Sequence, residues 1–164
     1  MYQRILRFLS VLLFTTGFMI AGFGGSQAAD NGIVKTKSLY PMAETVQRLK
    51  DDVAAKGIMM FAEIDQAKLA ANADIKLNPS TLLIFGNPPL GIQFLTPNAA
   101  SGIDWPVRLL VYEDDKGQVW TVYNDFGWIA KRYRIKNRAA AFKMASEVIG
   151  SIVSSVATQQ KAAN

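Results

Sequence analysis

Three places in this chain put side chains of useful chemistry close together. Tyr123-Asn124-Asp125 is the densest polar group at the end of a strand-like run. Lys131, Arg132, Arg134, Lys136 and Arg138 place five cations within eight positions. Asn87 stands where the apolar run Leu82-Leu83-Ile84-Phe85 breaks at Gly86 and meets Pro88-Pro89. A phenol, an amide and a carboxylate can hydrogen-bond a ligand or hold a proton. Arg132 is the leading cation, because a guanidinium fork grips a carboxylate or phosphate at two points. Each group also has a plainer use. Asp125 can cap a helix, the cations suit a helix C-terminus, and Gly86-Asn87-Pro88 can simply turn the chain. Arg108 lies among apolar strand residues, where an arginine is exposed or paired, here with Glu113 or Asp125 as partners.

What the chain lacks is equally informative. It contains no histidine and no cysteine. A Ser-His-Asp triad, a Cys-His pair, a histidine–zinc site and a disulfide therefore cannot be built from it. Glu63, Asp65, Glu113 and Asp125 could do acid–base work, but no pair has a spacing that only catalysis would explain. An enzyme using Asp125 or Glu113 as base and Tyr133 as acid ranks below simple binding, and no cofactor or metal is expected. Trp105, Trp120 and Trp128 read as core rather than as stacking platforms, and Met42, Met59 and Met60 as packing.

The N-terminus reads as a secretory signal. Arg4 and Arg7 precede an apolar run from Phe8 to Phe23, and Ser26-Gln27-Ala28 supplies small residues for cleavage before Ala29. An uncleaved anchor is the alternative; membrane contact is then confined to this segment. Removing residues 1–28 takes two arginines from 18 Lys+Arg against 13 Asp+Glu, which leaves +3. That excess is too small to argue for nucleic acid, and the expected location is exported, in a periplasm.

The elements that must hold these groups follow from periodicity. Residues 29–37 are a leader and an edge strand guarded by Lys35 and Lys37. Pro41 opens a helix with Val46, Leu49 and Val53 on one face, ended by Gly57. Ile58 to Ile64 reads as a strand buried on both faces, and Asp65 caps a short helix to Ala73 with Leu69 inward. Thr81 to Phe85 is a central strand, Leu90 to Leu95 a helical turn, and Thr96 to Asp104 a loop. Pro106–Glu113 and Gln118–Asn124 form a hairpin about Asp114-Asp115-Lys116-Gly117. Asp125 caps a helix, and Asn137 caps a last one carrying Phe142, Ala145, Ile149, Ile152 and Val156. This order implies one α+β domain, an antiparallel-rich sheet with helices packed on one face.

The segments "RLKDDVAAKGIMMFAEIDQAKLA", "LLIFGNPPLG", "WPVRLLVYEDDKGQVWTVYND" and "IAKRYRI" together resemble the bacterial family called domain of unknown function 302, over residues 38–135. Residues 136–164 then form a C-terminal helix and tail. The resemblance implies a fold like half of a TATA-box-binding protein, often dimeric, without implying DNA binding. Relatives usually carry histidine where Gln66 and Tyr133 stand, so this chain keeps hydrogen bonding there without titration near neutral pH. Asn87, Arg108, Asn124, Asp125 and Arg132 match the family pattern. With Tyr123 and Gln66 they are the expected ligand-binding set, around a pocket between the Asn87 elbow and the Tyr123–Asp125 turn. A small or anionic ligand is the expected occupant; a structural homodimer is the further alternative.

Overall fold

The computed structural model describes residues 31–157; the expected signal segment lies outside them. Five strands, β1 (Ile33–Lys37), β2 (Met59–Asp65), β3 (Ser80–Gly86), β4 (Val107–Glu113) and β5 (Val119–Asn124), form one antiparallel sheet in the order β1-β5-β4-β3-β2. Five helices accompany it: α1 (Met42–Ala55), α2 (Gln66–Ala71), α3 (Pro88–Leu95), α4 (Phe126–Arg132) and α5 (Ala139–Ala157).

Alternation along the strands decides which residues make the core. Leu83 and Phe85 on β3, Leu109 and Val111 on β4, and Val119 and Thr121 on β5 are all buried on one face. There they meet Leu49 and Val53 of α1, and Ile149, Ile152, Val153 and Val156 of α5. Full burial of such an aliphatic side chain stabilises by roughly 1.5–3 kcal/mol. The alternate residues Leu82, Ile84, Leu110, Tyr112, Trp120 and Val122 face the other way and keep partial exposure. Among the described helices α5 is the one long and apolar enough to cross a membrane. Its apolar stripe is spent on the core of this domain.

Several local expectations change. The β2 strand is an edge strand, and Met59 and Phe61 are 53% and 44% exposed rather than buried on both faces. A sheet with its helices on one side cannot cover both faces of a border strand, and a register shift at Phe61 lets its ring reach the edge of Trp105 instead. The α2 helix stops at Ala71, and Leu69 is 57% exposed rather than inward. Within the loop from Thr96, residues Ala99–Ile103 wind into a 3-10 turn capped by Asn98, whose Oδ1 accepts from the Ala100 N–H at 3.0 Å. The α5 helix starts at Ala139, and its first backbone bond runs from the Phe142 N–H to the Arg138 carbonyl. Arg138, not Asn137, thus stands at the capping position. In the β4–β5 turn Gly117 takes a φ of +75°, the left-handed conformation a hairpin of this kind needs.

Candidate functional site

The sheet end formed by the close of β3 and the start of β4 carries most of the polar chemistry. Its organiser is Asp104, a residue that periodicity alone leaves at the tail of a loop. The Asp104 side chain is only 4% exposed. Its Oδ1 accepts from Asn124 Nδ2 at 3.1 Å, and its Oδ2 accepts from the Tyr133 hydroxyl at 2.6 Å. Arg132 Nη1 approaches the same Oδ2 at 3.5 Å, with its guanidinium 5.2 Å from the Trp128 ring and 5.4 Å from that of Tyr133. Asn98 ties the arrangement to α4 by donating from Nδ2 to the Tyr133 carbonyl at 3.0 Å. A buried carboxylate needs such partners, because unpaired it would carry a heavy desolvation cost. The hydrogen bond to Asp104, then burial, raises the Tyr133 phenol above its ordinary value against the nearby Arg132 and Arg108 charges. At neutral pH it is therefore a donor.

Asn87 is the N-cap of α3, its Oδ1 accepting from the Leu90 N–H at 3.2 Å. It lines a cavity of about 560 Å³ between the C-terminal end of α1, α3, α5 and the sheet end. The walls are apolar: Ile58, Phe85, Leu90, Phe94, Trp105 and Val148 are among them. Trp105 forms one side by lying flat against α3. A Cβ placed on Gly91 would come within 1.9 Å of its ring, so only glycine lets the indole in. The ring also covers Gly86, whose Cβ position is 3.3 Å from the indole Nε1. Among the described residues that Nε1 has no acceptor.

The seven expected site residues separate into distinct settings. Asn124, Arg132 and Tyr133 meet at Asp104. Arg108 lies beside them; it donates from Nη1 to the Ile103 carbonyl rather than pairing with Glu113 or Asp125. Asp125 caps α4, its Oδ1 accepting from the Trp128 N–H at 2.7 Å. Tyr123 packs against the core, and its phenol is raised first by burial and then by Asp125. Val107 and Phe126 stand between this polar cluster and the Asn87 cavity, contributing to both. Arg132 is not among the cavity's lining residues. Gln66 lies at the opposite sheet end, where its Oε1 accepts from Ser80 Oγ at 2.7 Å. The length of β3, about 20 Å, separates it from Asn87. Asp104 and Trp105 are the residues that sequence reasoning missed. Their signal was a lone carboxylate flanked by Ile103 and Trp105 in a loop otherwise built of small residues. Among the described residues no cluster of carboxylates could hold a metal ion.

The fold and site together define a single α+β domain on a five-stranded antiparallel sheet, with its polar groups gathered at one end. The chain belongs to the family described as domain of unknown function DUF302, which matches residues 34–152. The crystal structure of an uncharacterized conserved DUF302 protein from Bacillus stearothermophilus is similar to it, with a TM-score of 0.69 and 14% identity. That likeness covers 76% of this chain and 98% of the other, and speaks for the fold alone. Two curated relatives, each called fluoride-specific ion channel FluC 1, come from Brucella suis and Brucella abortus. Each is 35% identical over 106 residues, 65% of this chain. The matched stretch spans only 42% and 39% of those relatives.

Proposed function

We propose that this domain, exported after loss of residues 1–28 and built like half of a TATA-box-binding protein, binds a small molecule with an apolar body. The observation that carries the reading is the cavity of about 560 Å³ at the elbow after β3. Its volume lies in the range that small ligands occupy, and its aromatic and aliphatic walls carry few polar groups. The α5 helix contributes Met144, Ala145, Val148 and Ile149 to it. A helix that could in composition cross a membrane is, in this reading, the wall of a binding site.

A simple anion site is less well supported. Arg132, the cation expected to receive an anion, already faces the Asp104 carboxylate. Lys56 at the cavity mouth holds both oxygens of Asp52, at 2.6 and 2.7 Å.

Ethylbenzene tests the reading directly. Near saturation it should raise the melting temperature of residues 29–164 by a few degrees. The shift should vanish in Met144→Trp, which narrows the mouth at a side chain already 54% exposed. An unchanged melting temperature in the wild type, with no chemical-shift changes at the cavity walls, would refute it.

A further inference from the structure

Resting on that cavity, its hydrogen-bonding groups say more about the occupant. At the elbow the backbone has little to offer. Pro88 and Pro89 carry no N–H, and the next two amides are consumed: Leu90 by the Asn87 side chain and carbonyl, Gly91 by the same carbonyl at 2.9 Å. Because Asn87 Oδ1 is fixed as the acceptor for Leu90, its Nδ2 turns away as a donor. Trp105 Nε1 lies over Gly86, the residue before Asn87 in the chain, and it too can only donate. Two residues that line the cavity therefore each carry a side-chain donor with no acceptor among the described residues.

Charge narrows the class. Lys56, the cation among the lining residues, is paired with Asp52, and Glu147, the carboxylate among them, faces Lys143 at 3.8 Å. A carboxylate ligand would lose its hydration with no unpaired cation among the lining residues to receive it, which is costly. A neutral carbonyl needs only the two N–H groups. Its body would lie against Phe94, Phe126 and Val148.

We infer that the cavity selects a neutral carbonyl compound with an apolar body (an aryl ketone, ester or amide), its oxygen held by Trp105 Nε1 and Asn87 Nδ2.

Ethylbenzene, acetophenone and benzoate share one ring and nearly one shape, and binding of each can be measured by NMR titration. In the wild type, acetophenone should shift the Trp105 indole proton downfield, and ethylbenzene should not. Trp105→Phe keeps a ring against Gly91 and removes the donor. It should weaken acetophenone relative to ethylbenzene by about tenfold, the effect of leaving a carbonyl unpaired. Asn87→Ser keeps the α3 cap and should weaken the same ratio less. Benzoate should bind more weakly than acetophenone. If ethylbenzene binds but the ratio is unchanged in both variants, the cavity reading stands and the carbonyl inference falls. Tighter binding of benzoate than of acetophenone overturns the neutral class. If none of the three binds, the cavity reading itself fails and takes the inference with it.

Discussion

The two ends of the sheet each bring an aspartate, a tryptophan and a turn together, and they use them in opposite ways. At the hairpin end, Asp114 accepts from Trp120 Nε1 at 2.8 Å and from the Lys116 and Gln118 amides at 3.0 Å. Lys35 lies 4.1 Å over the Trp120 ring. Every strong polar group of that set is spent on holding the turn. At the elbow end, Asp104 is spent on Asn124, Tyr133 and Arg132, while its chain neighbour Trp105 presses its ring onto glycine and keeps its N–H. An indole N–H usually finds a hydrogen-bond partner when it is buried. Among the described residues Trp120 Nε1 has an acceptor and Trp105 Nε1 has none, and Trp105 lines the apolar cavity. The difference separates a turn whose polar groups close on one another from the end of the sheet where we place the proposed binding site.

The largest effect should come from closing the gap under Trp105. Gly91→Ala puts a methyl 1.9 Å from the ring, and overpacking of that kind should cost about 2–3 kcal/mol in denaturant unfolding. Gly117→Ala at the other end meets nothing within 4 Å and strains only its positive φ, for about 1 kcal/mol. Equal costs at the two glycines would remove the close approach on which the cavity wall depends. Next in size is Asp104→Asn, which weakens three partners of one buried side chain. It should cost about 2 kcal/mol and leave the cavity's ligand affinity within about twofold, because Val107 and Phe126 stand between.

Tyr133→Phe should cost about 1 kcal/mol, one hydrogen bond to a charged acceptor partly open to water. Its pH signature is sharper than its size. The Tyr133 phenol is raised in the folded chain, so its contribution is complete below the ordinary value of 10.0. It is lost as pH climbs from there through the raised value. Wild type should therefore lose more stability than Tyr133→Phe above pH 10, measured by urea unfolding at each pH. Parallel curves would mean that Asp104 does not hold the phenol.

Much of this was legible in the residues, and what was not has a physical reason. Helix α1, the β4–β5 hairpin and the apolar stripe of α5 follow from periodicity and turn chemistry, which act over a few residues. At β2 the reason is different: a run of seven with six apolar residues and Glu63 fits a strand covered on both faces and an edge strand that rests one ring on a neighbour, and only the strand order decides. Asp125 and Asn87 were visible because capping is local. Asp104 was not, since its three partners come from β5 and α4, 20 to 29 positions away. Gln66 enters the expected set through the resemblance alone, and the length of β3 sets it apart from Asn87. Trp105 read as core because nothing in a sequence distinguishes a ring that packs from a ring that packs and keeps its donor.

The smallest effects test the two tryptophans against each other. Trp120→Phe and Trp105→Phe remove similar ring area from half-buried positions, but among the described residues the first alone removes a bond. The melting temperature at neutral pH should fall further for Trp120→Phe. The Asp114 carboxyl supplies the second readout. It is held below its ordinary value of 3.8 chiefly by the Trp120 hydrogen bond, then by the Gln118 amide; desolvation opposes these, and the Lys116 amide and the Lys35 charge add less. A lowered carboxylate stabilises above its unfolded value and loses that contribution as pH falls through the folded one. Wild type should thus lose stability below about pH 4, the unperturbed range of an aspartate, and Trp120→Phe should lose less there. Carboxyl-carbon NMR should show Asp114 titrating higher in Trp120→Phe and unmoved in Trp105→Phe. If Trp105→Phe matched Trp120→Phe in the depth of its melting-temperature loss, Trp105 would have a protein acceptor after all, and the two ends of the sheet would be alike.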